Sequence, residues 1–351
     1  MRRPATALLA LTGLLAAVVA CYAPADLARS PLTSPEPTVY PSPTPTSTPS
    51  PPLLLPSAAR AMHNGDYVSA ASLYHQALAA PLDPIAAAQA QLGLGTAYLR
   101  GGQYENSAIA LQALLTDHPD SELAPQAQFL LADALAGLGD PIAESDEYTA
   151  YLSAGTVITP YLNRWIGQAL HQGADYEGAA NAYALAAADA PSVSFEATVR
   201  EELALAYVAM EEHAAAVAQY DAILSLADAP ARNARIEYQA GQTLALVGDD
   251  QAAYARYRSA VDLYPTEDYA YLSLVELVDA GEPVDDRQRG LVDFHARAYS
   301  PAVQAFYRYV DTYPQTHLAD AHWYTGLSFL YAGSPALAQG EFQILLDTHP
   351  D

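Results

Sequence analysis

From about residue 57 onward, hydrophobic positions recur at the three-to-four spacing of helices that bury one face, in short runs punctuated by Gly, Asp and Pro. The runs resemble one another. The block Gly-Asp-Tyr-x-x-Ala-x-x-x-Tyr-x-x-Ala, read from Gly65 to Ala77, returns as Asp175, Tyr176, Ala179, Tyr183, Ala186 and Pro191. It returns again as Ala253, Tyr257, Ala260 and Pro265, and as Tyr299, Ala302, Phe306, Tyr309 and Pro314. Ala338, Phe342, Leu345 and Pro350 form a further copy, and Tyr104, Leu111, Leu114 and Pro119 fit with Ser107 in the alanine slot. Tyr148 with Tyr151, and Ala216 with Tyr220 and Ile223, complete the set. Upstream of each block a first helix carries a small residue at a fixed offset: Ala58, Gly95, Ala132, Gly167, Ala204, Gly241, Gly290 and Gly326. The period is roughly 36 residues, in the range of helical repeat arrays, and gives about eight repeats.

Helix packing explains these residue types. A small residue midway along the first helix lets the second approach closely, and the early alanine of the second lets the two cross without a gap. The aromatic one turn later fills the wedge between them, and the closing proline cannot continue the helix. No unit buries its own apolar face; the stack does. The fold class expected is all-α.

The spacing resembles the tetratricopeptide (TPR) repeat over residues 57–351. That resemblance implies a right-handed α-solenoid of about eight helix-turn-helix units, with a concave groove lined mainly by the first helices and binding a partner segment. Repeat offsets then turn Tyr161, Arg164, Gln168 and His171 of the fourth repeat, and Trp323 of the eighth, toward that groove. One interval breaks the period. About a dozen extra residues lie around 279–289 (DAGEPVDDRQR), where Gly281 and Pro283 interrupt helix. They are expected to form a longer loop, a bend, or a joint between two sub-arrays.

The N-terminus has another character. Arg2 and Arg3 precede an apolar run from Ala7 to Ala20 that is too short to span a bilayer of about 30 Å but fits a secretory signal. The run ends Val18-Val19-Ala20-Cys21. This resembles the bacterial lipobox and implies cleavage after Ala20 and lipidation of Cys21. Residues 1–20 are thus expected to be a lipoprotein signal peptide. Residues 21–56, dominated by Pro, Ser and Thr, are expected to be a disordered linker of polyproline II character, reaching roughly 100 Å at most. The localisation expected is extracytoplasmic, lipid-anchored to the bacterial membrane or envelope.

Charge and chemistry narrow the function. The net charge of −25, with all fifteen basic residues arginine, excludes a nucleic-acid binder, which needs a basic face to displace counterions. Cys21 is the single cysteine, so no intramolecular disulfide forms. There is no Gly-rich phosphate loop, no Gly-x-Ser-x-Gly elbow and no His-Glu-x-x-His. His317 and His322, five residues apart, read as lying on different faces of a helix and, with Asp320, as a poor metal site. Glu211-Glu212-His213 falls in an inter-helix turn and reads as solvated surface. Neither a catalytic residue, a cofactor nor a metal is expected.

A narrower resemblance exists. An exported chain, a long alanine-rich helical array and the stretch Gly281 to Pro314 together look like the non-catalytic superhelical arm of soluble lytic transglycosylases, which cleave peptidoglycan. Glu144-Ser145 stands inside a repeat without that family's following motifs, so no catalytic residue is carried over. The sequence stops at Asp351, just past the proline closing the eighth repeat and without a capping helix, so the natural polypeptide is expected to continue. Three readings follow. The first is a membrane-anchored scaffold for envelope or cell-wall proteins or peptides. The second is the arm of a transglycosylase, with peptidoglycan as a further partner. The third is an outer-membrane-assembly TPR lipoprotein, which the long tether and many repeats fit poorly.

Overall fold

The computed structural model describes residues 51–349, and among them all regular structure is helical, in seventeen helices. The signal peptide, Cys21 and the tether up to residue 50 lie outside the described residues. Sixteen helices form antiparallel pairs, here called helix A and helix B. They are Pro51–His63 (α1) with Tyr67–Leu78 (α2), Pro84–Arg100 (α3) with Tyr104–Asp117 (α4), Ala124–Leu138 (α5) with Pro141–Ser153 (α6), and Thr159–Gln172 (α7) with Tyr176–Ala188 (α8). Then come Val193–Ala209 (α9) with His213–Leu224 (α10) and Pro230–Leu246 (α11) with Asp250–Leu263 (α12). The unpaired helix is Asp268–Asp279 (α13), followed by Asp286–His295 (α14) with Tyr299–Thr312 (α15) and Asp320–Tyr331 (α16) with Pro335–Thr348 (α17).

The A-to-B turn is built the same way eight times. Each reverses the chain through one residue in the left-handed region. Glycine takes it at Gly65, Gly102, Gly139, Gly248 and Gly333, but Ala174, Glu211 and Arg297 take it in the other three, at φ near 60°. A side chain costs roughly 1–2 kcal/mol in that region. Glu211→Gly is therefore expected to raise stability by about 1 kcal/mol, read as a higher urea midpoint, with Gly248→Ala moving it the other way. The next residue often caps helix B: the Asp66, Asp140, Asp175 and Asp249 carboxylates each accept a hydrogen bond from the amide three residues on.

Close approach of the two helices follows from the small residues. Gly167 lies beneath the ring of Tyr183, Gly241 beneath Tyr257, Gly290 beneath Phe306, Gly326 beneath Phe342, and Gly95 beneath Leu111. Alanines Ala58, Ala132 and Ala204, all fully buried, stand at the same crossing in the remaining repeats, with Tyr74, Tyr148 and Tyr220 in the ring position. Apolar burial is local. One cluster joins Tyr183 and Ala186 of α8 to Val199 and Leu203 of α9, and another joins Tyr220 and Ile223 of α10 to Ile236 and Ala240 of α11. The core is a chain of such interfaces, as a solenoid requires.

Two expectations change. The first helix begins at Pro51 rather than after residue 56, because Leu54 already buries against the first repeat and Pro51 and Pro52 occupy the helix start, where no amide donor is needed. The irregular interval near 279–289 is not simply a loop: the extra length is α13, a helix A without its helix B. The step from Ala204 to Gly241, taken once more, lands on Val278, which is 37% exposed because no ring covers it. α13 buries Ala270, Ser273, Leu274 and Leu277, packs on α11 and α12, and ends early at Gly281, which takes a left-handed turn. A single cluster runs from Tyr257 and Val261 through Leu274 and Leu277 to Val292 of α14, so the array is continuous across this point. No helix of the described residues is long and apolar enough to cross a membrane.

Candidate binding face

Direct contact between successive A helices occurs at α1 with α3, α3 with α5, α11 with α13 and α14 with α16, whereas no two successive B helices make contact of that extent. The A helices therefore line the tighter side of the stack. The densest polar network on this side is centred on α9. From α7, the Arg164 guanidinium donates two hydrogen bonds to Glu202, at 2.9 and 2.7 Å, and Gln168 Nε2 donates a third at 2.9 Å. From α11, Arg235 Nη2 and Gln239 Nε2 donate to Glu201 at 2.8 and 3.0 Å. Arginine and glutamine four residues apart share one helix face, so each pair grips one carboxylate. Hydrogen bonding to Glu202 raises Arg164 above its ordinary range, so this cation is fixed at any physiological pH.

Of the residues singled out from the sequence, Tyr161, Arg164 and Gln168 lie together on the side of α7 that meets α9. Tyr161 packs edge-on to Phe195 at 4.9 Å, and the Arg164 guanidinium carbon lies 6.0 Å from the same ring. His171 turns elsewhere and packs on Tyr176 of its own helix B, ring centres 5.2 Å apart. Trp323 is far along the chain in α16, half exposed, with its ring 5.5 Å from Phe342. The polar groups of Arg164 and Gln168 are thus engaged within the protein. Sequence reasoning missed Glu201, Glu202, Arg235 and Gln239; the signal available was the Arg-x-x-x-Gln spacing at 164–168 and again at 235–239, flanking an acidic pair. Two shallow recesses follow this network, one lined by Ala197, Thr198, Glu201 and Arg235, the next by Arg235, Glu267 and Tyr269.

The A helices also leave apolar side chains in water: Tyr161, Leu205, Leu246, Leu272, Val275, Trp323, Leu330 and Tyr331 are each between 37% and 67% exposed. Behind them the A–B crossing of α5 and α6 holds half-buried acids. The Tyr148 hydroxyl donates to Asp133 at 2.9 Å, and burial raises both groups above their ordinary ranges. Glu144 stands where most repeats carry the crossing alanine, and burial with the nearby Asp133 charge raises it as well. Ser145 beside it is buried, its hydroxyl given to the Ile142 carbonyl, an ordinary helix contact.

The helix-face placement of His317 and His322 needs correction. α16 begins only at Asp320, so His317 is on the preceding turn and the helix-face argument does not apply. The two rings meet, Nε2 to Nε2, at 3.2 Å. Asp320 is instead held by Arg287 of α14.

Residues 89–121, within α3 and α4 and the turn that follows, match the tetratricopeptide repeat family. No curated protein matches the sequence. Among solved structures, the chain is similar to a tetratricopeptide repeat protein from Parabacteroides merdae, at 15% identity over 80% of this chain and 99% of that one, with a TM-score of 0.43. It is similar to the C-terminal part of a TPR repeat-containing protein from Cytophaga hutchinsonii, at 14% identity over 75% and 96%, with a TM-score of 0.47. A third likeness is to PilF of Pseudomonas aeruginosa, at 20% identity over 66% and 93%, with a TM-score of 0.34. What makes the helix pairs of this chain TPR-like is their packing: a small residue beneath a large one at every A–B crossing.

Proposed function

We propose that this chain is a protein-binding scaffold of the bacterial envelope, held to a membrane through a lipid on Cys21 and taking a peptide segment of its partner along the A-helix side. The observation that carries the reading is that A helices α7, α9, α13 and α16 each expose an apolar side chain, Tyr161, Leu205, Val275 and Trp323, and that a fixed polar network ties α7, α9 and α11 together. Large apolar side chains left in water on the face of a helical array are the groups a partner segment would cover. Arg164 and Gln168 act in this reading by holding α7 to α9, so that Tyr161 and Leu205 present a rigid surface, while Trp323 extends it to the last repeat. The transglycosylase-arm reading gains nothing from the stretch Gly281 to Pro314, which folds into α14 and α15 with Gly290 beneath Phe306 like any other repeat.

Site-specific photo-crosslinking in cells tests the scaffold. A crosslinker at Leu205 or Val275 is expected to give a discrete protein adduct, and one at Leu185 or Leu263, exposed on B helices, to give none. Equal labelling from both sides, or no adduct from the A side, would reject the reading. The anchor is tested separately: Cys21→Ala is expected to release the protein into the medium, and a variant that stays on the membrane overturns the anchor without touching the scaffold.

A further inference from the structure

Three histidines gather where the last repeat closes. His317 is on the turn before α16, His322 is in the first turns of α16, and His349 follows α17. Ring centres of His317 and His322 are 5.1 Å apart, those of His317 and His349 are 5.1 Å apart, and those of His322 and His349 are 6.3 Å apart. His322 is 6% exposed.

The outer nitrogens of two rings are already committed. His317 Nδ1 lies 3.0 Å from the Tyr313 carbonyl, which only accepts, so Nδ1 carries the proton. His322 Nδ1 lies 2.9 Å from Glu341 Oε2, and the other oxygen of Glu341 accepts from the Tyr307 hydroxyl at 2.7 Å. A carboxylate so held also fixes the proton on Nδ1 of His322. The two Nε2 atoms face each other at 3.2 Å. At that distance either a proton or a metal cation stands between them. His349 contributes a third nitrogen, Nε2, buried and without a hydrogen-bond partner.

We infer that His317, His322 and His349 form a binding site for a divalent transition-metal ion of the zinc type. The dimensions fit. Nitrogens bound tetrahedrally at about 2.0–2.1 Å stand ~3.3 Å apart, and their ring centres ~5 Å apart. Imidazole suits zinc, copper and nickel rather than magnesium or calcium. Glu341 on His322 and the Tyr313 carbonyl on His317 are the outer contacts that orient histidine ligands at such sites. Among the described residues no three ligand-type side chains are yet in coordinating positions. His349 completes the set by moving its ring toward His322 by roughly 1 Å, and water takes the fourth corner. The bound ion ties the turn before α16 to the end of α17, and so clamps the eighth repeat.

The full chain, stripped with chelator, is titrated with Zn(II) by calorimetry and with Co(II) by visible absorption. One equivalent is expected to bind at micromolar affinity or better, with the cobalt spectrum of a four-coordinate site. His317→Asn, at the partly exposed ligand, is expected to weaken zinc at least 30-fold while leaving the helical circular dichroism unchanged. Glu341→Gln is expected to weaken it about tenfold through His322, and His75→Asn, on the distant α2, to leave it unchanged. If the pair shares only a proton, no stoichiometric zinc binds and the inference fails. It fails equally if zinc binds but His317→Asn and His349→Asn bind it as well as the parent.

Discussion

Gly241→Val is expected to cost about 3 kcal/mol or more and to separate α11 from α12. A Cβ at this position would stand 2.4 Å from Tyr257 Cε1 and 2.7 Å from Cδ1. The ring cannot retreat. Tyr257 is 3% exposed, Tyr238 packs against it with ring centres 5.7 Å apart, and Val261 and Leu274 belong to the same cluster. Helix B must therefore move outward as a body, which loosens its contacts with α13. Overpacking a tight core costs typically 1–3 kcal/mol, and valine brings two methyl groups beyond the Cβ. Gly241→Ala is the milder case, because Ala58, Ala132 and Ala204 show that a crossing built for a methyl group holds one. Urea denaturation followed by circular dichroism measures the loss. A Gly241→Val protein with the parent midpoint would show that the close crossing is not what holds the pair together.

That crossing is also why so much of the fold is legible in the sequence. A small residue beneath a ring leaves a fixed distance between two recognisable letters, and eight copies make the period plain. α13 was illegible for the same reason: without a helix B to cross, Val278 needs no small side chain, and the mark by which a helix A is recognised disappears with its partner. The polar contacts left little trace, since Glu201 and Glu202 are set by what α7 and α11 offer and not by a period. The helical spacing applied to His317 and His322 failed because His317 stands on the turn before α16 and only His322 is in the helix. Of the candidate face, the register reached Tyr161, Arg164 and Gln168 but not the carboxylate that occupies two of them.

Asp293→Asn is expected to stabilise the protein by about 2 kcal/mol near pH 8 and to flatten its dependence on pH. Asp293 lies in α14, 4% exposed, and its Oδ2 has no hydrogen-bond partner. The nearest cation, Arg289 one turn earlier, is 3.7 Å away, too far for a full hydrogen bond. Burial raises the carboxyl to about 6, against the smaller opposing pull of Arg289 and Arg308. The folded protein thus holds this proton more tightly than the unfolded chain, whose carboxyl titrates near 3.9. The favourable contribution is complete below the unfolded value and is lost as pH rises through about 6. Above that, folding must bury a charge, at roughly 1.4 kcal/mol per unit of separation. Burial raises Asp133, Glu144 and Glu237 in the same direction, so the parent is expected to be more stable at pH 5 than at pH 8. Asparagine keeps the shape and removes one of these charges. The difference between variant and parent urea midpoints should therefore open between about pH 4 and about pH 6.5, the interval between the unfolded and folded values, and then stay level. Parallel profiles across that range would show that Asp293 is solvated in the folded state, and that α14 is less tightly closed over it than its burial indicates.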